Sequence, residues 1–199
     1  MTDASRGAGL EDRGAMLDSR VIHDGRVVHL SIDRVRFPDG SEGELELIRH
    51  PGASAVLPVR SAPGSADPEV LLVRQYRYAA GGYIYEVPAG LPQEGETWAE
   101  CAARELEEEA GVVAGRLDYL TRLHTTPGFT NEVIHLYVAF DLKPGRIAWD
   151  DDEFLAVETF RLSEVLGMAA SGRITDGKTL VTILFAARFL LSQDPSPEA

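Results

Sequence analysis

Positive charge and cysteine are what this chain has least of. Nineteen Lys and Arg stand against 32 Asp and Glu in 199 residues, a formal net charge of −13. Proteins that bind nucleic-acid polymers draw most of their affinity from phosphate contacts and show a basic face, so the acid excess argues against that class. The single cysteine, Cys101, forbids an internal disulfide and fits a reducing compartment. Its place among alanines reads as small buried filler rather than as a nucleophile. The N-terminus lacks an apolar signal core, and no apolar run approaches the ~18–20 residues of a membrane span. These gaps point to a cytoplasmic protein with no membrane partner. Five histidines are present, and none sits at a metal-like His/Cys spacing.

What is present suffices for a folded domain, since 44% of the residues are hydrophobic. Residues 1–18 are polar and Gly-containing and read as a loose tail; 193–199 read as a second tail. Partial alternation over 28–37 and the Pro-Asp-Gly turn at 38–40 predict an N-terminal β subdomain over 19–50, with a possible dimer contact. Strands are then predicted in 53–60, 69–77 and 83–90, the last closed by Pro88. A helix opens near Thr97, a short strand and loop fill 112–129, and a long strand covers 131–142. An acidic loop starting near 148 becomes a strand, and two helices over 163–172 and 176–193 finish the chain. The stripe Leu180, Ile183, Leu184, Ala187 and Leu191 marks the second of these as packed on a sheet. The pattern is α+β, one domain over 51–192 with sheet between helices.

The helix after Thr97 holds the chemistry. Thr97 and Glu100 spell a capping box, and Gly111 marks the end. Five glutamates (Glu100, Glu105, Glu107, Glu108, Glu109) crowd into ten positions. At about 100° per residue, Glu105, Glu108 and Glu109 share one arc of roughly 100°, with Ala103, Leu106 and Ala110 on a neighbouring, core-facing arc. Arg104 lies four residues before Glu108 and can pair with it. Three close carboxylates repel unless a cation shares them, and hard divalent ions take such oxygens. A solvated acidic face would explain the charge alone.

The spacing around the helix resembles the Nudix box, G-x5-E-x7-R-E-U-x-E-E-x-G-U with U aliphatic. Gly90, Glu96, Arg104, Glu105, Leu106, Glu108, Glu109, Gly111 and Val112 fill its nine defined positions. The resemblance implies an α/β/α sandwich, the Nudix fold, with an N-terminal β-strand extension. It implies hydrolysis of nucleoside diphosphates linked to another group, with Mg²⁺ or Mn²⁺ as cofactor. It makes Glu105, Glu108, Glu109 and the backbone carbonyl of Ala89 the metal ligands. By the same resemblance Arg104 orients the glutamates, Glu96 braces the loop and Gly90 lets the backbone pass close to the metal.

The stretches "LLVRQYR", "YEVPAG" and "TTPGF" resemble the ADP-ribose pyrophosphatase subgroup. That implies cleavage of ADP-ribose to AMP and ribose 5-phosphate in a homodimer. A nucleotide sugar such as GDP-mannose, or an ADP-ribose sensor without turnover, are the alternatives. The substrate contacts so implied are Arg74, Arg77, Glu86, Pro127, Gly128, Phe129 and Glu132. Arg74 and Arg77 could share one strand face and clamp a phosphate; the bland alternative is a surface pair, with Glu86 bridged to one of them. The resemblance places the general base in "DDDEFLAVE", at Glu153, with Asp151 and Asp152 as substitutes. Tyr76, Tyr78, Tyr83, Tyr85 and Phe129 are all open as the adenine platform.

Overall fold

The computed structural model describes residues 14–61, 65–149 and 154–190. The chain divides into two compact units: residues up to His50 together with Thr126–Glu132, and Pro51–Thr125 together with the chain from Val133 onward.

The first unit is an antiparallel sheet of β1 (Ala15–Asp24), β2 (His29–Arg36) and β3 (Glu42–Arg49), in that spatial order. β1 begins inside the stretch the sequence marks as loose. The β2–β3 turn follows its chemistry: Gly40 takes φ 85°, and Asp39 accepts a hydrogen bond from the Ser41 N–H at 2.9 Å. Buried Asp33 accepts from Ser19 Oγ (2.6 Å), Ser31 Oγ (2.9 Å) and Arg49, a charged group in the sheet that is fully paired. The 126–132 segment lies along β3, where the Ile48 N–H donates to the Phe129 carbonyl at 2.8 Å.

The second unit is built on two sheets. β4 (Ala53–Pro58) runs parallel to β10 (Val133–Phe140), and β9 (Arg116–His124) and β7 (Ala89–Gly90) flank this pair antiparallel. β5 (Glu69–Arg77) sits between β12 (Leu155–Arg161) and β6 (Gly82–Glu86) in an antiparallel sheet. The two-residue strands β8 (Val112–Val113) and β11 (Lys143–Pro144) pair with each other. The predicted strand over 83–90 is therefore two strands in different sheets. Pro88 lacks an N–H and breaks the first ladder, while its carbonyl accepts from the Val56 N–H at 3.0 Å as the chain crosses to β4. The short strand expected after Val112 is instead the nine-residue β9.

Strand alternation sorts the core into two layers. Ala53, Ala55 and Leu57 face a cluster with α2 (Leu162–Ala170) and α3 (Gly177–Phe189), which supply Val165, Met168, Ile183 and Ala186. Val56 faces the other way, toward Ala102, Leu106 and Ala110 of α1 (Trp98–Ala110). Sheet between helices is the sandwich the sequence implied. Two helix faces differ from expectation. Ala103 is exposed and Ala102 takes the core position; Leu184 is 52% exposed, while Thr182, Ile183 and Ala186 are buried. In each case the buried arc is rotated by about one residue, because packing against the sheet, not the best apolar count, sets the helix phase. Leu191 lies outside the described residues.

Candidate metal and diphosphate site

The acidic helix is fixed at both ends as its sequence requires. Thr97 Oγ1 accepts from the Glu100 N–H at 3.3 Å and the Glu100 carboxylate accepts from the Thr97 N–H at 2.8 Å, a closed capping box. Gly111 ends it in the left-handed region at φ 66°, its N–H on the Glu107 carbonyl. Cys101 is fully buried, and burial raises its thiol pKa, so it is core filler.

One face of α1 and the chain around β7 enclose a cleft of about 390 Å³, lined by Ala89, Gly90, Arg104, Glu105, Glu108 and Glu109 among others. Arg104 is its hub. It grips Glu96 with two hydrogen bonds (2.9 and 3.0 Å) and holds Glu105 at 2.7 Å and Glu108 at 2.8 Å through Nη1. Its Nη2 also donates to the Leu91 carbonyl at 2.9 Å, tying the loop before the helix to the helix itself. The hydrogen bond to Glu96 is the main cause that raises the Arg104 pKa, and it depresses that of Glu96. Glu109 is only 4% exposed and accepts from the Ala89 N–H at 3.1 Å. Gly90 has a steric reason: a Cβ there would overlap the Glu105 carboxylate.

Among the described residues no three acidic, histidine or cysteine side chains converge as a ready-made cation cage. Arg104 draws Glu105 and Glu108, and the Ala89 amide draws Glu109. The donor chemistry fits a hard divalent ion nevertheless. Three carboxylates and the Ala89 backbone line one cleft, and all are oxygen donors of the kind such ions take.

The two arginines of β5 do not share a strand face. They are three residues apart, so the period of two sends them to opposite faces. Arg74 stacks its guanidinium over the Tyr83 ring at 4.3 Å and lines a separate cleft with Trp149 and Phe154. Arg77 donates to both oxygens of Glu86, at 2.9 and 2.8 Å, and Lys178 of α3 adds a third hydrogen bond at 2.8 Å. Burial pushes the Glu86 pKa up, but the contacts with Arg77 and Lys178 outweigh it and leave it lowered. Glu86 is thus bridged to two cations, as the salt-bridge alternative expected. The same sequence places Tyr85 in the core, at 9% exposed. Pro127, Gly128, Phe129 and Glu132 belong to the first unit, where Glu132 lies 3.5 Å from His50 Nδ1. His135 stacks on Trp98 at 4.4 Å, and burial lowers its pKa, a structural histidine. Glu153, Asp151 and Asp152 lie outside the described residues.

Sequence reading missed two features. The segment before residue 150 is strapped to the last turn of α1: the Ala148 N–H donates to the Glu108 carbonyl (3.0 Å) and Trp149 Nε1 to the Glu109 carbonyl (3.0 Å). The second is Lys178 and its neighbour Asp176. Asp176 caps α3 by accepting from the Thr179 N–H at 2.9 Å, which a search for N-cap residues before the final helix would have found.

A mixed sandwich, with an acidic helix end and a glycine-backed cleft built on the box spacing, defines a diphosphate-handling domain. Comparison with known proteins agrees: the NUDIX domain pattern matches residues 49–181, and the chain belongs to that family. Among curated relatives, the methanol dehydrogenase activator of Bacillus methanolicus is 38% identical over 82% of this chain and 87% of its own. The ADP-ribose pyrophosphatase of Bacillus subtilis is 34% identical over the same shares, 82% and 87%. A solved ADP compounds hydrolase superposes with a TM-score of 0.76 at 22% identity, covering 89% of this chain and 94% of that one, a likeness of fold.

Proposed function

We propose that this protein hydrolyses the diphosphate linkage of ADP-ribose, giving AMP and ribose 5-phosphate, with Mg²⁺ or Mn²⁺ bound by Glu105, Glu108, Glu109 and the Ala89 carbonyl. The observation that carries the reading is the gathering of those groups around one cleft of about 390 Å³ with Arg104 as their internal counter-charge. A bound divalent ion would supply electrophilic polarisation of the diphosphate and acidify water. The chain's own residues do the rest. Arg104 bridges Glu96, Glu105 and Glu108 and sets their spacing. Arg77 meets negative charge that develops on phosphate oxygens. The Glu109–Ala89 hydrogen bond holds the β7 backbone against the helix. Glu153 takes the proton of the attacking water in this scheme.

The name of the Bacillus subtilis relative supports ADP-ribose as substrate, and the box supports the reaction type. We place the protein in the cytoplasm, and as a homodimer through residues 19–50; the exposed Val21, Ile22 and Leu45 of the first unit's sheet support the second point. A second reading, regulation of a partner dehydrogenase, takes its support from the name of the Bacillus methanolicus relative. A substrate panel with Mg²⁺ and with Mn²⁺, including ADP-ribose and GDP-mannose, tests the proposal. Preferred cleavage of ADP-ribose to AMP is expected. Preference for a nucleotide sugar would replace the substrate, and no cleavage of any diphosphate would reject the reaction.

A further inference from the structure

Lys178 occupies a position that helix electrostatics disfavours. It is the second residue of α3, where the N-terminal end of the helix dipole repels a cation. Yet its side chain is 12% exposed and turned inward, onto Glu86 Oε2 at 2.8 Å and Asp176 Oδ2 at 3.1 Å. A buried ammonium needs a reason, because desolvation costs several kcal/mol per ion unless every partner is well placed.

The reason lies in the charge count. Glu86, 2% exposed, and Asp176 are two acids; Arg77 and Lys178 are two cations, and the four form one chain of contacts. Remove Lys178 and two carboxylates act on Arg77 alone. With Lys178 present the two acids and two cations balance; without it the cluster around Arg77 carries a net negative charge, which disfavours an incoming anion. Arg77 is 43% exposed, spends Nε and Nη2 on Glu86, and makes no hydrogen bond through Nη1 among the described residues. Its partner Glu86 ends β6 three residues before Ala89, whose N–H donates to Glu109 of the acidic cleft.

We infer that Lys178 is a positioning residue for the diphosphate: by neutralising Glu86 it leaves Arg77 free to bind the substrate's phosphate oxygens. The inference deepens the proposed function and rests on diphosphate binding at that cleft. The same contact anchors the first turn of α3 to the end of β6, three residues before Ala89.

The test compares Lys178→Met, Lys178→Arg and Ile183→Val with wild type, each saturated with Mg²⁺. Ile183→Val loosens the same helix and leaves every charge in place. Calorimetry with imidodiphosphate reads anion binding, ADP-ribose kinetics read KM and kcat, and melting reads Tm. Lys178→Met should weaken imidodiphosphate binding about tenfold. It should raise KM by a similar factor, with kcat within about twofold of wild type. Lys178→Arg should restore both, and Ile183→Val should lower Tm only. Unchanged imidodiphosphate affinity in Lys178→Met, failure of Lys178→Arg to restore it, or an equal loss in Ile183→Val would each overturn the inference. So would a wild-type protein that binds no imidodiphosphate. A wild type that binds it but cleaves no ADP-ribose rejects the proposed reaction alone, and the variants still decide the role of Lys178.

Discussion

Arg104 holds Glu96 in a two-pronged grip, Nε to Oε1 at 2.9 Å and Nη2 to Oε2 at 3.0 Å, across eight residues of sequence. The planar guanidinium still has Nη1 left for Glu105 and Glu108. One side chain therefore fixes the loop before the helix and spaces two of the proposed ligands on it. Lysine carries the same charge but no fork. Arg104→Lys should lower kcat/KM about 10–100-fold, the usual cost of losing a partner that orients ligands. Kinetics with melting curves check it: a large activity loss with a small Tm change is expected.

Gly90 and Glu105 make a second pair whose fit is steric. Alanine at 90 would place its Cβ into the Glu105 carboxylate, so that carboxylate must move. Gly90 is absent from the positive-φ glycines, so the backbone itself tolerates alanine. Gly90→Ala should cost about 100-fold in rate, as small displacements of reacting groups do, while the protein stays folded. Circular dichroism beside steady-state rates separates the two effects.

Glu86 gives a pH signature. Its folded pKa is depressed below the usual 4.5, so the stability it contributes is present above that value and lost as pH falls through the folded one. Wild type should lose Tm steeply on acidification below about pH 4.5. Glu86→Gln should start lower at neutral pH, with Arg77 stripped of its acid and Lys178 left to Asp176, and converge toward wild type as the pH falls. Parallel curves over pH 3–7 would show that Glu86 contributes nothing to acid lability.

Much of the site was legible because its parts are local. The capping box, the glycine stop and the box spacing all lie within Gly90–Val112, and α1 forms as they require. What escaped reading depends on contacts between distant segments. Nothing near Lys178 in sequence announces Glu86, 92 residues away. Trp149 reaches the Glu109 carbonyl across 40 residues for the same reason. The face error at Arg74 and Arg77 was of another kind: a spacing of three cannot share a strand face, so the pattern itself contained the correction. Ala103 and Leu184 show the limit of apolar counting, since helix phase is settled by the sheet beneath.

Glu153→Gln separates a base from a ligand. As the proton acceptor, Glu153 should cost about 10²–10⁴-fold in kcat when made neutral. Affinity for Mg²⁺ should stay within error of wild type. Collapse of metal binding in that variant would make Glu153 a ligand instead.

The most direct test is calorimetry of Mg²⁺ binding in the presence of a non-hydrolysable ADP-ribose analogue, on wild type and on the Glu105→Gln/Glu109→Gln double variant. Saturable binding by wild type, lost in a double variant that melts as a folded protein, is the predicted result. Wild-type material that gives no binding heat, or a double variant that binds the ion as wild type does, would contradict the acidic cleft as the place where metal and diphosphate meet.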